Sequence, residues 1–228
     1  MGKYLLLSQQ GYGEELKKMV NSNDPKIGYI PSQSDFGRDY FNAEVSYYKN
    51  LGFNKFMYFD IDKEYAPDKL DELKECDIIH IAGGRETYFL KNFLSRNFDK
   101  FIRDYSNNDG IIVAICSGAG ILSQDIVFSS IYGKQTITLT TLHYGLGLFN
   151  FVLHTIWDED KMDFKSIIEY CVKTKRTMYL CHKDDGIILN GSNIELLGDV
   201  VKLENNYIFR KNQMPKPFSA FNLKGGLT

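Results

Sequence analysis

The stretch that decides the fold is Gly110–Leu122, "GIIVAICSGAGIL". Its first half is an unbroken apolar run rich in β-branched residues, the pattern of a strand buried on both faces of a sheet. Its second half is small residues followed by Ile-Leu, a plausible helix start. Cys116 and Ser117 stand at the junction, so a strand delivers two adjacent candidate nucleophiles to its carboxyl end, where open parallel sheets place their active sites. A sharp strand-to-helix elbow needs small residues two before and two after the reactive one. With Cys116 reactive those positions are Ala114 and Gly118; with Ser117 they are Ile115 and Ala119, and Ile115 would crowd the turn. The register selects Cys116. The helix dipole is expected to lower its thiol pKa toward neutrality, and the N–H of Ser117 to serve as an oxyanion donor.

Outward from this stretch, short β-rich runs alternate with amphipathic segments. Strands are expected at "KYLLLS", "KIGYIP", "KFMYFD" and "DIIHIAGG". Helices are expected at "GEELKKMVNS", at "DYFNAEVSYYKNLG" ending before Gly52, at "PDKLDELKE" from Pro67, and at Glu86–Ser95 and Asp99–Asn107. This alternation predicts an α/β fold with a mostly parallel sheet covered by helices on both faces. After about Asp125 the pattern changes to an irregular β-rich excursion. Then come a strand at "FNFVLH", a helix at "DFKSIIEYCVK", a strand at "TMYLC" and a closing β-meander with turns at Gly191-Ser192 and Asn205-Asn206. One domain is expected over residues 1–212, with a poorly ordered tail over 213–228.

Composition bounds the function. With 228 residues, 43% of them hydrophobic, the chain can build one sizeable core. A net charge of −2 with interspersed signs argues against nucleic acid or an anionic membrane as partner. No apolar run approaches the ~20 residues of a membrane span, and "MGKYLLLSQQ" is too short a run for a secretory signal. The four cysteines have neither C-x-x-C nor zinc spacing, so reduced thiols in the cytoplasm are expected. No metal or cofactor is implied. The expected partner is a small peptide or amide, and a homodimer is allowed.

A second motif, "HIAGGRETYFL", puts Gly83-Gly84 at another strand end, where backbone N–H groups could face a developing negative charge. The two motifs, about 30 residues apart, together resemble the dipeptidase E and cyanophycinase family of serine peptidases. Its signature is G-G-N-T, then G-x-S-A-G-A, then a strand ending in P-H before an aromatic and acidic residues. Here these read "GGRET", "AICSGAG" and "GLGLFNFVLHTIWDED", with "IGYIPSQSD" and "DDGIILNG" as supporting strands. The resemblance covers roughly residues 3 to 200. It implies a flavodoxin-like three-layer sandwich related to class I glutamine amidotransferases, and hydrolysis of a short peptide.

Carried over residue by residue, the resemblance puts Cys116 on the family's serine and His154 on its catalytic histidine. Gly84 and Ser117 become oxyanion donors. Asp185, Asp158 or Glu159 would be the orienting acid, with Asp185 on a frequently acidic position. Two departures stand out. Arg85 replaces the usual Asn and could hold a substrate carboxylate. The acid that relatives often carry about fifteen residues past the nucleophile is missing from "SSIYGK".

Other histidines compete for a role. His80 reads as packing and His143 has no assigned one. In "CHKDDG", His182 and Asp184 resemble the His-x-Glu of class I glutamine amidotransferases, so Cys116, His182 and Asp184 form an alternative triad. A catalytically inactive binding or sensing protein on the same scaffold is the other alternative, motivated by the cysteine and the lost acid.

Overall fold

The computed structural model describes residues 2–126, 143–160 and 163–221. Strand β1 (Lys3–Leu7) leads to helix α1 (Gly13–Met19), β2 (Lys26–Ile30), α2 (Asp39–Asn50) and β3 (Lys55–Tyr58). A 3-10 turn at Pro67–Lys69 opens α3 (Leu70–Lys74), followed by β4 (Ile78–Ile81), α4 (Glu86–Ser95) and α5 (Phe98–Asn107). Then come β5 (Ile111–Ile115), α6 (Ser117–Leu122), β6 (Asp125–Ile126), β7 (His143–Tyr144) and β8 (Val152–His154). Helix α7 (Phe164–Thr174) and β9 (Met178–Leu180) precede β10 (Gly186–Asn190) and β11 (Asn193–Leu197). Strands β12 (Val201–Glu204), β13 (Tyr207–Phe209) and β14 (Lys216–Pro217) close the chain.

The main sheet has the order β11-β10-β1-β5-β4-β2-β3. Strands β1 to β5 run parallel, and the β10–β11 hairpin adds an antiparallel edge on β1. Alternation along each strand sorts the core onto two faces. Leu5, Leu7, Val113 and Ile115 pack with Leu16 of α1 and Tyr48 of α2. Leu6, Ile112 and Ala114 pack with Phe89 and Phe93 of α4 and Ile102 of α5. This is the expected α/β sandwich.

The late β segments differ from one continuous meander. The β10–β11 hairpin joins the main sheet, whereas β12, β13 and β14 join β9 and β8 in a separate five-stranded sheet. Both expected turns occur, but on different sheets. Strands β8 and β9 carry apolar residues on both faces and are sandwiched. Leu153 and Tyr179 face the main core, while Val152, Met178 and Leu180 pack under α7 with Trp157 and Ile167.

Of the segment expected as a tail, Lys216–Pro217 pairs with β13 and Phe218 is buried; residues 222–228 lie outside the described residues. So does most of the excursion after Asp125, including "SSIYGK". No helix of the described residues is long and apolar enough to cross a membrane.

Candidate active site

The site is a ring of segments at the carboxyl ends of β1, β4, β5 and β8. Cys116 follows β5 directly and has φ 51° and ψ −123°, a strained conformation for a residue with a Cβ. Its N–H donates to the Leu7 carbonyl at the end of β1 (2.8 Å), and its carbonyl accepts from Ala119 N–H (3.0 Å) to open α6. The turn is tight because α6 lies directly on β4. A Cβ on Gly118 would stand 2.5 Å from the Ala82 carbonyl oxygen and 2.7 Å from that of Ile81. The small residue expected at Gly118 is therefore a steric necessity.

Cys116 is half-buried, while Cys76, Cys171 and Cys181 are buried. Burial raises the Cys116 thiol pKa, and the carboxylate of Glu86 adds to the rise. The Ser117 N–H and the Thr155 hydroxyl face the sulfur and favour the thiolate, but they do not outweigh burial. The expected depression is thus reversed, because desolvation of the half-buried sulfur is the largest influence on it.

Ser117 is buried. Its Oγ accepts from Gly84 N–H at 2.6 Å and donates to the Gly84 carbonyl at 2.7 Å. This two-way bond ties the glycine loop to the elbow. It also occupies the N–H expected to serve as an oxyanion donor, so an incoming oxygen would have to displace the serine hydroxyl. Gly84 has φ +153°, and a Cβ there would lie 1.8 Å from Ser32 Oγ.

His154 ends β8 and is fully buried. Its carbonyl accepts from Cys181 N–H at 2.8 Å, and its ring lies 6.0 Å from the Trp157 indole, centroid to centroid. Burial lowers the imidazole pKa to about 3, so it is neutral at pH 7. Its neighbour Thr155 brings the end of β8 to the thiol; the sequence reading missed this residue, and its only signal was adjacency to the motif histidine. His80 does pack: it is buried, with Nδ1 2.8 Å from Tyr48 Oη. His143 lies on β7, paired with Ile126.

Asp185 is engaged elsewhere than at His154. Its Oδ2 lies 2.8 Å from His182 Nδ1 and accepts the His182 N–H at 2.8 Å. Its Oδ1 accepts from Asp199 N–H at 2.8 Å. The alternative triad is altered by the same geometry: His182 is oriented by Asp185, while Asp184 Oδ1 accepts from the Gln9 amide. This imidazole–carboxylate couple sits beside the end of β1, because Ser8 N–H donates to the Asp185 carbonyl at 3.1 Å. Ser8 Oγ, donating to Cys181 O at 3.2 Å and accepting from Ile156 N–H at 3.1 Å, binds the β8 and β9 ends to the same rim. Glu159 pairs with Arg210, and Asp158 Oδ1 accepts from Asp160 N–H at 3.1 Å.

Next to the elbow opens a cleft of about 710 Å³, lined by Ile115, Ala82–Arg85 and the chain after β2. It lies where the sheet order switches, since β2 sends the chain to β3 on one side and β4 lies on the other. Arg85, exposed at the rim, makes no ion pair among the described residues. Among the described residues no cluster of His, Cys, Asp or Glu has metal-binding geometry.

A mostly parallel sheet with a strained strand-to-helix elbow and a cleft at its switch point defines the class of open, flavodoxin-like α/β proteins. Within that class the chain belongs to peptidase family S51, whose sequence profile matches residues 7–197. Two solved structures share the fold. A putative peptidase E protein from Listeria monocytogenes EGD-e superposes with a TM-score of 0.67 at 20% identity, covering 86% of this chain and 98% of its own. A peptidase from an acI-B1 Actinobacterium gives a TM-score of 0.67 at 13% identity, covering 95% and 94%. No curated protein matches.

Proposed function

We propose that this S51-family chain hydrolyses an amide bond of a short peptide, with Cys116 in the place of the family serine. The observation that carries the reading is the strained Cys116 elbow at the end of a central strand, with Thr155 facing the sulfur. The sulfur attacks the carbonyl carbon, a C–S bond forms, and the C=O electron pair moves to oxygen. A histidine base takes the thiol proton and returns it to the departing amine as the C–N bond breaks; His154 holds the family's position for it, although its ring lies against Trp157 and Thr155 is the neighbour that faces the sulfur. Water then hydrolyses the thioester. The Ser117 N–H serves the oxyanion, and Arg85 at the cleft rim suits a substrate carboxylate.

A raised thiol and a depressed imidazole both favour a neutral resting pair. Proton transfer therefore accompanies attack, as in a serine enzyme, and no thiolate–imidazolium pair precedes it. A second base is favoured by one observation: the 2.8 Å bond from Asp185 to His182 Nδ1 orients that imidazole as a catalytic carboxylate would. Four free thiols suit a reducing cytoplasm.

The test is turnover of a dipeptide and small-amide library by the wild type and by Cys116→Ala, His154→Ala and His182→Ala. Cys116→Ala should abolish turnover and His154→Ala should lower it by at least about 100-fold. Loss with His182→Ala but not with His154→Ala selects the second base. No turnover by the wild type, with a ligand still raising its melting temperature, would make the chain a binding protein instead.

A further inference from the structure

The cleft beside Cys116 has one wall that the peptidase reading leaves unused. Helix α2 crosses it, and the i, i+4 spacing aligns Tyr40, Glu44 and Tyr48 along one side of that helix. Tyr40 and Glu44 line the cleft together with Tyr29 of β2 and Ile115 of β5. Tyr48 is buried beneath them. The thiol is close by: a Cβ on Gly83, which also lines the cleft, would stand 3.1 Å from Cys116 Cβ.

Two carboxylates face this space, and they differ in what they already hold. Asp35 caps the start of α2, its oxygens accepting from Asp39 N–H at 3.2 Å and Phe41 N–H at 3.1 Å. Glu44 Oε2 is buried from solvent and makes no hydrogen bond among the described residues. No Lys or Arg among the described residues forms an ion pair with it; the nearby Arg38 is taken by Glu64 at 2.7 Å. A buried carboxylate oxygen without a donor is costly, and burial accordingly pushes the Glu44 pKa up to about 7. Tyr40, exposed one turn before Glu44 on the same helix, lines the same cleft, and tyrosine ring faces attract cations.

We infer that Glu44 is a specificity-determining residue of the cleft, receiving a primary ammonium group of the substrate beside Tyr40. The inference rests on the peptidase reading for the identity of the ligand as a short peptide, and it names the charge that peptide carries. With Arg85 at the rim, the cleft is then complementary to a peptide bearing both an ammonium and a carboxylate. The ammonium could be the α-amine or a lysine side chain, and Glu44 would recognise the same chemistry in both.

The test separates binding from chemistry. Ala-Ala, N-acetyl-Ala-Ala, N-acetyl-Lys-Ala and N-acetyl-norleucyl-Ala are titrated calorimetrically at pH 8 into Cys116→Ala protein, with and without Glu44→Gln. The inference requires that Ala-Ala or N-acetyl-Lys-Ala bind about tenfold more tightly than its counterpart without the ammonium. The first pair identifies an α-amine and the second a side chain. Glu44→Gln must erase that preference while leaving the two peptides without an ammonium unchanged. Equal binding of peptides with and without the ammonium, no binding of any, or an equal loss for all four with Glu44→Gln overturns it. Hydrolysis of the same peptides by wild type is scored separately. An ammonium preference without turnover sinks the peptidase reading and keeps the subsite; turnover without the preference does the reverse.

Discussion

At the residue scale, the chemistry of Cys116 is set by opposing pulls on one sulfur. The Ser117 N–H and Thr155 favour its charge, and burial with Glu86 disfavours it. Iodoacetamide should modify Cys116 before the other three cysteines. Those are buried, with thiols pushed up to about 11 at Cys76 and about 12 at Cys171. Because the Cys116 thiol is also raised, its alkylation rate should climb about tenfold per pH unit from pH 7 to 9, as the thiolate fraction does. A rate already level at pH 7 in intact-mass kinetics would contradict the neutral resting pair. Ser117→Ala removes both bonds to the backbone of the exposed Gly84. The expected cost is about 0.5–1.5 kcal/mol in urea unfolding, with faster amide exchange at Gly84.

At the element scale, the β5–α6 elbow depends on contact between backbones. Gly118→Ala would force a methyl group against the Ala82 and Ile81 carbonyls, so α6 must lift from β4. A loss of about 1–3 kcal/mol is expected, with reduced alkylation at Cys116 if the elbow relaxes. This element was readable from residue sizes alone, because the steric rule for a sharp turn is local. The setting of Asp185 was not. Its bond to His182 closes a local turn, with Asp185 N–H donating to the His182 carbonyl at 3.1 Å, but only the pairing of β10 with β1 carries that couple to the end of β1. Asp185→Asn, which weakens the carboxylate's bonds to His182 and Asp199, should cost about 1–3 kcal/mol. It should lower turnover strongly if His182 is the base and little if His154 is.

At the scale of the whole molecule, buried ionisable groups shape stability against pH. His80 and His154 are both lowered to about 3 from an ordinary 6.5. The unfolded chain thus binds protons that the native state refuses, and stability falls as pH drops from about 6.5 toward 3. Glu44 and Glu86 are both raised to about 7 from 4.5. Here the native state holds the protons, and stability falls as pH rises from about 4.5 to 7. The opposed slopes should leave a plateau between about pH 4.5 and 6.5, with a decline above it that solvent access to the two glutamates moderates. Urea midpoints from pH 3 to 8 check this. Glu44→Gln should flatten the alkaline side, raising stability at pH 8 by on the order of 1 kcal/mol. A midpoint still climbing from pH 6.5 to 8 would contradict the assignment.

The residue order by itself determined the parallel α/β sheet, the elbow at Cys116, the glycine loop and the family, because strand and helix periodicities and turn sterics are local properties of the chain. The tertiary structure alone decided three things. It divided the late β segments between two sheets, set the His182–Asp185 couple beside the end of β1, and placed Glu44 against the cleft with its Oε2 making no hydrogen bond among the described residues. Each depends on which distant surfaces meet, and burial then sets the charge state of the groups caught between them.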